Sequence, residues 1–461
     1  MSWNKKSVIS FVGGNVVSKS RVVVEDGFLE RTFHLRERGT DVRTEVVAGI
    51  TTFMTMAYII FVNPSIVQET GMPFAAVMYA TIASTVFATV LMAFLANYPF
   101  ALAPGMGLNA YFTYSVVLGM GMPWETALGA VFISGVVFVV LTFTKVREAI
   151  IDAVPSTLKN AIGAGIGLFI AFIGFKSAEF SIADPATFLG IGNLSNPVPI
   201  VAAIGLFVTA VLLARGVKGG ILWGILMSTV VGLPFGVTQM PQGIIQWPSL
   251  SLWSPVLFKL DIRGALSLGI LDIVFAFLFV DMFDTVGTLI GVSARGGFLD
   301  EKGRLPRAER ALLSDAIGTI AGSFFGTPTV TTYVESASGV AAGGRTGLTA
   351  LVTAGMFFLS LFFLPVVSVV PAAATAPALI VVGAMMMGAM VNIDWNDMSE
   401  AIPALVTAVA MPFTFSIANG IAFGFISYAA IKLFTGKSKD VHWLVYLLAV
   451  LFVVRFAYLR G

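Results

Sequence analysis

Residues 325–345 read FGTPTVTTYVESASGVAAGGR, and they stand between two long apolar stretches. The segment carries one acid, Glu335, among threonine, serine, glycine and alanine residues. An ionisable side chain at the depth of a bilayer is costly, so it usually marks a functional site. A second apolar stretch, AFLFVDMFDTVGTLIGV at 276–292, carries Asp281 and Asp284. Two acidic sites on separate segments predict that a polar solute binds at mid-membrane.

The composition indicates an all-α polytopic membrane protein. The chain is 57% hydrophobic and 11% charged, whereas a soluble domain carries about a quarter charged residues. Apolar runs of roughly 15–22 residues recur, close to the length that spans a bilayer. The chain has no cysteine, which excludes disulfides, thiolate metal sites and cysteine nucleophiles. Both histidines, His34 and His442, lie in polar flanks, so we expect neither a metal site nor a cofactor. The net charge of +2 does not point to nucleic acid.

Hydropathy together with glycine and proline positions predicts about fourteen membrane segments. They are 44–68, 75–96, 105–120, 124–144, 158–178, 198–214, 220–235, 265–293, 309–325, 331–343, 346–370, 377–391, 401–416 and 418–435. A further apolar run, 442–458, is either a fifteenth span or an interfacial helix.

The basic residues favour a cytoplasmic N-terminus, because they concentrate in the loops that follow even-numbered segments. These residues are Lys145, Arg147, Lys159, Arg215, Lys218, Arg295, Lys302, Arg304, Arg307, Arg310, Arg345, Lys432, Lys437 and Lys439. The other loops hold only Lys176, Lys259 and Arg263. No cleaved signal peptide is evident, so we expect residues 1–43 to form a cytoplasmic extension that can include an interfacial helix.

Two segments are interrupted by glycine and proline: YPFALAPGMGLNAYFTY at 98–114 and the segment quoted first. In each, a proline precedes a polar or aromatic residue by five positions: Pro104 precedes Asn109, and Pro328 precedes Tyr333. We predict that each is an extended stretch followed by a half-helix. Interrupted segments in the two halves of a carrier point to its binding site. They are third and tenth in order, which indicates two seven-segment inverted repeats.

The acids suit a flat, neutral heterocycle. Asp281 and Asp284 share one helical face, and Glu335 lies near the start of the second half-helix, where the helix dipole favours a negative charge. Paired carboxylates can accept hydrogen bonds from N–H groups. Because burial disfavours the ionised form of an acid, one of these acids is a candidate to carry a coupling proton.

Other side chains complete the predicted site. Tyr333, Phe112 and Tyr111 can stack on the face of a ring. Asn109 offers both a donor and an acceptor for a purine or pyrimidine edge.

Structural roles compete with these assignments. Glu335 can be a helix cap, Asp281 a helix–helix hydrogen-bond partner, and Asn109 a partner for broken backbone. Asp315 is expected to be an interfacial or packing charge. Three acids, Asp394, Asp397 and Glu400, are expected to be solvated. The glycine-rich runs AIGAGIGLF and GVAAGG are expected to allow close helix packing.

Three motifs resemble the AzgA-like branch of the nucleobase–cation symporters, the nucleobase/ascorbate transporters. They are APGMGLNAYF, FVDMFDTVGTLIG and GTPTVTTYVESASGVAAGGRTGLTA, and the resemblance runs from about Arg36 to about Thr435. It implies a core domain that carries the substrate, a gate domain that mediates homodimer contacts, and an elevator-type movement between them. The core would be 44–144 with 265–370, the gate 145–264 with 371–435, and the tail 436–461.

The resemblance also implies roles for individual residues. The eighth-segment acid of the family falls on Asp284, its tenth-segment acid on Glu335 within Thr–Thr–Tyr–x–Glu, and its third-segment polar residue on Asn109. We therefore expect Asp284, Glu335, Asn109, Tyr333, Phe112 and Thr332 to bind substrate, and Asp284, Glu335 or Asp281 to carry the proton. Uracil-type carriers have a histidine where this chain has Thr288, so a relay through that histidine is absent.

The resemblance implies a purine:proton symporter of the cytoplasmic membrane, with hypoxanthine and guanine favoured over adenine. Two alternatives stay open at this stage. One is an anion carrier or channel of the same architecture, which two buried acids disfavour. The other is an intramembrane aspartyl hydrolase, although the chain lacks a Gly-x-Gly-Asp signature.

Overall fold

The computed structural model describes residues 8–12, 15–19, 27–144, 153–241, 243–266, 271–301 and 304–458. Within these residues the chain is predominantly helical. The α-helices are α1 Phe28–Phe33, α2 Val42–Met56, α3 Ile59–Val67, α4 Phe74–Leu91, α5 Met106–Ala110, α6 Trp124–Thr142, α7 Ser156–Ser177, α8 Pro197–Ala214, α9 Gly220–Val231, α10 Leu250–Trp253, α11 Leu271–Gly296, α12 Ala308–Phe325, α13 Ser336–Ala341, α14 Gly347–Ser360, α15 Leu364–Val367, α16 Ala372–Met387, α17 Met398–Phe413, α18 Ile417–Phe434 and α19 Trp443–Tyr458.

Shorter elements join these helices. The strands are β1 Val8–Val12, β2 Asn15–Lys19, β3 Leu102–Pro104, β4 Ser181–Asp184, β5 Phe188–Ile191 and β6 Val330–Thr332. They form three antiparallel pairs, β1 with β2, β3 with β6 and β4 with β5. Two π-helical stretches, Met92–Ala96 and Tyr111–Gly119, continue α4 and α5. The 3-10 turns are Gln68–Thr70, Gly264–Leu266, Leu361–Phe363, Gly388–Asn392 and Ser438–Asp440.

Nine helical stretches in the described part of the chain are long and apolar enough to cross a membrane. They are Val42–Thr70, Phe74–Ala96, Trp124–Thr142, Ser156–Ser177, Pro197–Ala214, Ile273–Gly296, Gly347–Val367, Ala372–Asn392 and Ile417–Phe434. Three shorter apolar helices are Gly220–Val231, Met398–Phe413 and Trp443–Ala457. A multi-pass membrane protein is therefore confirmed, whereas the number of segments stays a prediction. Three of the basic residues that favour a cytoplasmic N-terminus lie outside the described residues: Lys145, Arg147 and Lys302.

The first predicted segment, 44–68, is not one continuous helix. α2 ends at Met56 and α3 begins at Ile59, with Ala57 and Tyr58 between them. The break directs the fully buried Tyr58 side chain, which is 1% exposed, towards the second interrupted segment. The predicted start of the segment at 377 was also too late, because α16 begins at Ala372 and accommodates Pro377.

The glycine-rich runs pack helices closely, as predicted. A Cβ on Gly167 of α7 would lie 2.6 Å from the carbonyl oxygen of Gly383 on α16. A Cβ on Gly339 of α13 would lie 2.0 Å from Thr52 Oγ1 of α2. Small residues let helix backbones approach at these crossings, so α7 packs along α16, and α13 packs along α2.

The prediction that Glu400 is solvated was wrong, whereas Asp394 is exposed as expected and Asp397 is partly exposed. Glu400 forms an ion pair with Lys432, whose side chain is 5% exposed. Asp397 caps α17 through the Ser399 amide and pairs with Lys437 at 2.6 Å. These contacts tie the start of α17 to the end of α18. A lysine buried in an apolar environment needs such a partner.

The last apolar run forms α19, which packs against two helices. The Phe452 ring lies 5.9 Å from Phe275 of α11 and 5.9 Å from Phe425 of α18. At the other end of the chain, the described part of the predicted extension contains the β1–β2 hairpin and α1.

Candidate functional site

The two interrupted segments meet as a short antiparallel ladder. Leu102 pairs with Thr332, Ala103 with Thr331, and Pro104 with Val330. Backbone hydrogen bonds of 3.0 and 2.9 Å extend it, from Tyr333 N to the Ala101 oxygen and from Gly105 N to the Thr329 oxygen. All six ladder residues are buried. Extended backbone survives at membrane depth only where protein or a polar cavity satisfies it.

A threonine from the preceding helix satisfies the outer edge of each strand. Thr89 Oγ1 of α4 bonds both the amide and the carbonyl of Leu102, each at 3.0 Å. Thr319 Oγ1 of α12 does the same for Val330, at 3.2 and 2.9 Å. Leu102 and Val330 are thus equivalent positions. The two prolines do not occupy equivalent positions, because Pro104 lies within its strand and Pro328 precedes its strand.

A helix begins immediately after each strand. α5 begins at Met106 and continues as a π-helix to Gly119. α13 begins at Ser336 and ends at Ala341. Their N-termini, where backbone N–H groups lack intrahelical partners, therefore both lie beside the ladder.

Glu335 occupies the position before α13, but its side chain does not cap that helix. Its Oε1 instead accepts a 2.6 Å hydrogen bond from the Tyr58 hydroxyl. Thr55 Oγ1 lies 3.5 Å from the Glu335 carbonyl oxygen. The side chain is half-buried, which leaves part of the carboxylate for a ligand. The observed geometry therefore disfavours the helix-cap role.

Asp284 lies on α11 close to Glu335. The two carboxyl groups are near enough to interact electrostatically, and Asp284 also interacts with the side chain of Thr331. The Tyr333 phenol lies within electrostatic reach of both acids. Asp281 lies one helical turn away and is 2% exposed. The structure thus brings together the two acids and the tyrosine that the sequence singled out.

The Asn109 side chain is fully buried, at 0% exposure. Neither its amide nitrogen nor its oxygen has a hydrogen-bond partner among the described residues. One turn further along, the buried Thr113 hydroxyl is also unpartnered within that set. Buried polar groups are almost always satisfied, so a ligand or water belongs here. Asn109 therefore does not serve to satisfy broken backbone.

The aromatic candidates on the first half-helix are fully buried. Phe112 is 0% exposed. Tyr111 packs edge-on against Phe277 of α11, with ring centroids 5.0 Å apart. The Tyr111 ring therefore contributes to the packing of the first half-helix against α11.

Two other predicted residues have protein partners. The Tyr333 hydroxyl donates a 2.6 Å hydrogen bond to the Pro104 carbonyl, which fastens the second half-helix to the first strand. Thr332 Oγ1 lies 3.4 Å from Asp315 Oδ1. The Thr332 hydroxyl thus faces α12.

Asp315 is a fully buried acid, at 0% exposure. Besides Thr332, the Thr285 hydroxyl lies 3.1 Å from each of its carboxyl oxygens. Asp315 is therefore not interfacial, and the packing role is the one of its two expected roles that fits.

Sequence reasoning missed Tyr58, Thr285 and a further buried acid, Glu45. Glu45 accepts hydrogen bonds from the backbone amides of Arg345 and Thr349, at 2.8 and 3.1 Å, so it caps the N-terminus of α14. In the sequence, Tyr58 is marked only by its place in an apolar run, shortly after Thr51, Thr52 and Thr55. Hydropathy alone does not separate such a residue from a packing aromatic.

Comparisons with known proteins identify relatives across nearly the whole chain. The model of the Permease family Xan_ur_permease matches residues 43–423. A putative permease of Methanocaldococcus jannaschii is 54% identical over 94% of this chain and 99% of its own. The adenine permease AdeP of Escherichia coli is 43% identical over 94% and 97%. The guanine/hypoxanthine permease PbuO of Bacillus subtilis is 44% identical over 92% and 99%.

A solved structure shares the fold. The transmembrane domain of the cyanobacterial bicarbonate transporter BicA matches with a TM-score of 0.59 at 14% identity. The match covers 84% of this chain and 97% of that domain.

Proposed function

This chain belongs to the nucleobase permease family, and we propose that it takes up purine bases by proton symport. Family membership makes it a permease rather than an enzyme, which removes the aspartyl-hydrolase alternative. Relatives named for adenine and for guanine/hypoxanthine are almost equally similar, at 43 and 44% identity. The motif GMGLNAYF favours hypoxanthine and guanine.

The observation that carries this proposal is the pairing of Asp284 and Glu335 beside the N-terminal ends of two half-helices. Glu335 is oriented by Tyr58 and lies within electrostatic reach of Asp284. Two such acceptors match the ring and exocyclic N–H groups of a purine. A hydrogen bond to a charged acceptor contributes about 1.5–3 kcal/mol, enough to select a base over an apolar solute.

Asn109 supplies the complementary donor and acceptor. Its unpartnered amide can pair with a ring nitrogen or carbonyl oxygen of the base. Tyr333, Phe112 and Thr332 shape the site around it. Of these, Tyr333 has its hydroxyl committed to Pro104, so we propose that its ring, and not its hydroxyl, contacts the base.

The proton is proposed to bind Asp284 or Glu335, with Asp281 as the neighbouring acid. Protonating one acid lowers the repulsion between the two when the site is occupied. Proton and purine then load together from outside. Release follows when the core moves inward relative to the gate.

We propose that the helices form fourteen membrane segments in two inverted repeats. Thr89 with β3 and Thr319 with β6 form equivalent hydrogen bonds, which supports a two-fold relation between the repeats. We propose a core of 44–144 with 265–370, a gate of 145–264 with 371–435, a cytoplasmic N-terminus in the plasma membrane, and a homodimer.

Uptake of labelled hypoxanthine, guanine and adenine tests this proposal in cells that lack their own purine carriers. Saturable uptake that collapses with a protonophore is the expected result. Uptake that requires sodium and resists the protonophore would refute proton coupling and leave the purine assignment standing. If none of the three bases enters, with the protein demonstrated in the membrane, the purine assignment fails and the anion carrier becomes the better hypothesis.

A further inference from the structure

Asp315 is the most deeply buried acid near the site, and the transport scheme above does not use it. It lies on α12, behind β6, and is 0% exposed. Its carboxyl oxygens face the hydroxyls of Thr285 and Thr332. An ionised carboxylate in such a place is costly unless donors surround it, and the hydroxyls of Thr285 and Thr332 are two donors that the fold supplies.

Two threonine hydroxyls connect Asp315 with the binding site. Thr285 Oγ1 lies 3.1 Å from Asp315 and 2.8 Å from Thr331 Oγ1. Thr331 in turn interacts with the Asp284 carboxyl. Both threonines are buried, at 0 and 2% exposure. The order Asp284–Thr331–Thr285–Asp315 is therefore an unbroken chain of polar contacts.

The row of polar contacts from Asp284 to Asp315 has two possible hydrogen-bond orientations. Each hydroxyl has one hydrogen to donate and can accept as well. When Thr285 donates to Asp315, Thr331 can donate to Thr285. When Thr331 donates to Asp284, Thr285 can donate to Thr331. The first orientation stabilises an ionised Asp315, and the second stabilises an ionised Asp284.

We propose that Asp315 is a second proton-carrying residue, which exchanges the coupling proton with Asp284 through Thr331 and Thr285. This inference rests on the proposed proton symport. In the transfer, the Asp284 carboxylic acid gives its proton to the Thr331 oxygen. Thr331 gives its own hydrogen to Thr285, and Thr285 gives its own to the Asp315 carboxylate. Each hydroxyl ends with one hydrogen, Asp284 is ionised and Asp315 is neutral.

The surrounding groups agree with this role. Two of the groups that face Asp315 are the hydroxyls of Thr285 on α11 and Thr332 on β6, and threonine does not titrate. At the binding-site end of this row of polar contacts, the titratable groups are Asp284, Glu335 and Tyr333. Moving the proton from Asp284 to Asp315 leaves Asp284 ionised, so that Asp284 can accept a purine N–H as a carboxylate.

The test uses purified full-length protein in liposomes, with labelled hypoxanthine and the variants Thr285→Val, Thr285→Ser and Asp315→Asn. Three quantities are measured: equilibrium binding, exchange of internal for external base, and accumulation driven by an acid-outside pH gradient. Valine keeps the shape of threonine without its hydroxyl, whereas serine keeps the hydroxyl.

We expect Thr285→Val and Asp315→Asn to lose at least tenfold in accumulation while binding and exchange change less than threefold. Thr285→Ser should accumulate like the unmodified protein. Full accumulation by either Thr285→Val or Asp315→Asn would overturn the relay. So would equal loss of binding, exchange and accumulation, since that indicates a structural role. Unmodified protein that binds no base would instead refute the proposed function.

Discussion

The Tyr58 hydroxyl donates a 2.6 Å hydrogen bond to Oε1 of Glu335, across 277 positions of sequence. Tyr58 lies at the break between α2 and α3, and Glu335 lies at the start of α13. The contact orients the acid without neutralising it, and it leaves the second carboxyl oxygen free of this donor. The break in the first membrane helix therefore serves to position a residue of the tenth predicted segment.

Replacing Tyr58 with phenylalanine removes this hydrogen bond and keeps the ring. Because a hydrogen bond to a charged group contributes about 1.5–3 kcal/mol, we expect purine affinity to fall at least about tenfold. Binding of labelled hypoxanthine to purified protein measures the effect. Tyr79→Phe is the matched control, because the Tyr79 hydroxyl accepts a 3.2 Å hydrogen bond from the backbone amide of Ser249. Unchanged affinity in Tyr58→Phe would show that Glu335 is oriented in another way.

Replacing Glu335 with glutamine keeps the size of the side chain and removes its charge. We expect a loss of purine uptake of about tenfold to a hundredfold, since charge-assisted hydrogen bonds to the base are lost. Asp394→Asn removes an exposed acid and should transport normally. Uptake assays at matched membrane expression compare the two. Normal uptake by Glu335→Gln would exclude the carboxylate as a ligand of the base.

The variant Asn109→Leu tests whether Asn109 serves substrate binding or protein stability. The Asn109 amide has no protein partner within the described residues, so an apolar residue of similar size should leave the melting temperature of the protein unchanged or raise it slightly. We expect the same variant to lose purine binding. A large drop in melting temperature would instead assign Asn109 a structural role.

Gly339→Ala tests the packing of the second half-helix on α2. The added Cβ would lie 2.0 Å from Thr52 Oγ1 and 2.8 Å from the Ala48 carbonyl oxygen. Overpacking of this kind costs about 1–3 kcal/mol, so both thermal stability and uptake should fall. Gly355→Ala, where nothing lies within 4 Å of the added atom, is the control. Equal stability of the two variants would contradict the observed crossing.

The Asp397–Lys437 pair predicts a pH dependence of stability. The hydrogen bonds from Lys437 and Ser399 lower the pKa of Asp397 below its ordinary 3.8. An acid whose pKa is lowered by folding stabilises the protein above its unfolded pKa, and this contribution is lost as the pH falls through the folded value. Asp397→Asn should therefore melt at a lower temperature than the unmodified protein at pH 7.

The difference in melting temperature between Asp397→Asn and the unmodified protein should shrink as the pH is lowered below about 4. Lys437 has its pKa raised by the same contact, so its share is present at neutral pH and is lost only as the pH rises above the ordinary lysine range. A difference that stays the same from pH 7 down to about pH 2 would show that the ionised Asp397 does not contribute.

Local chemistry made several features predictable. The acids at 281, 284 and 335 stood out because charge is rare in apolar stretches. Glycine and proline marked both interrupted segments, since neither residue favours a continuous helix. Close packing of the glycine-rich runs followed from side-chain size alone.

Other features depend on partners distant in sequence. The equivalence of Leu102 and Val330 follows from the threonine that hydrogen-bonds each strand, and the spacing of the prolines does not reveal it. Glu400 looked solvated because its partner, Lys432, lies 32 residues away. Asp315 looked interfacial because its position near the start of a segment did not show that Thr285 and Thr332 enclose it.

The amino-acid sequence by itself determined the class of this protein, its apolar helices, the two interrupted segments and the acids that mark the site, because each depends on composition or on spacing along the chain. Only the tertiary structure decided which groups meet: Tyr58 with Glu335, Thr285 with Asp315, and Tyr333 with Pro104. The physical reason is that a hydrogen bond is fixed by distance and direction in space. Residues 30 to 277 positions apart acquire that geometry only when the helices that carry them have packed.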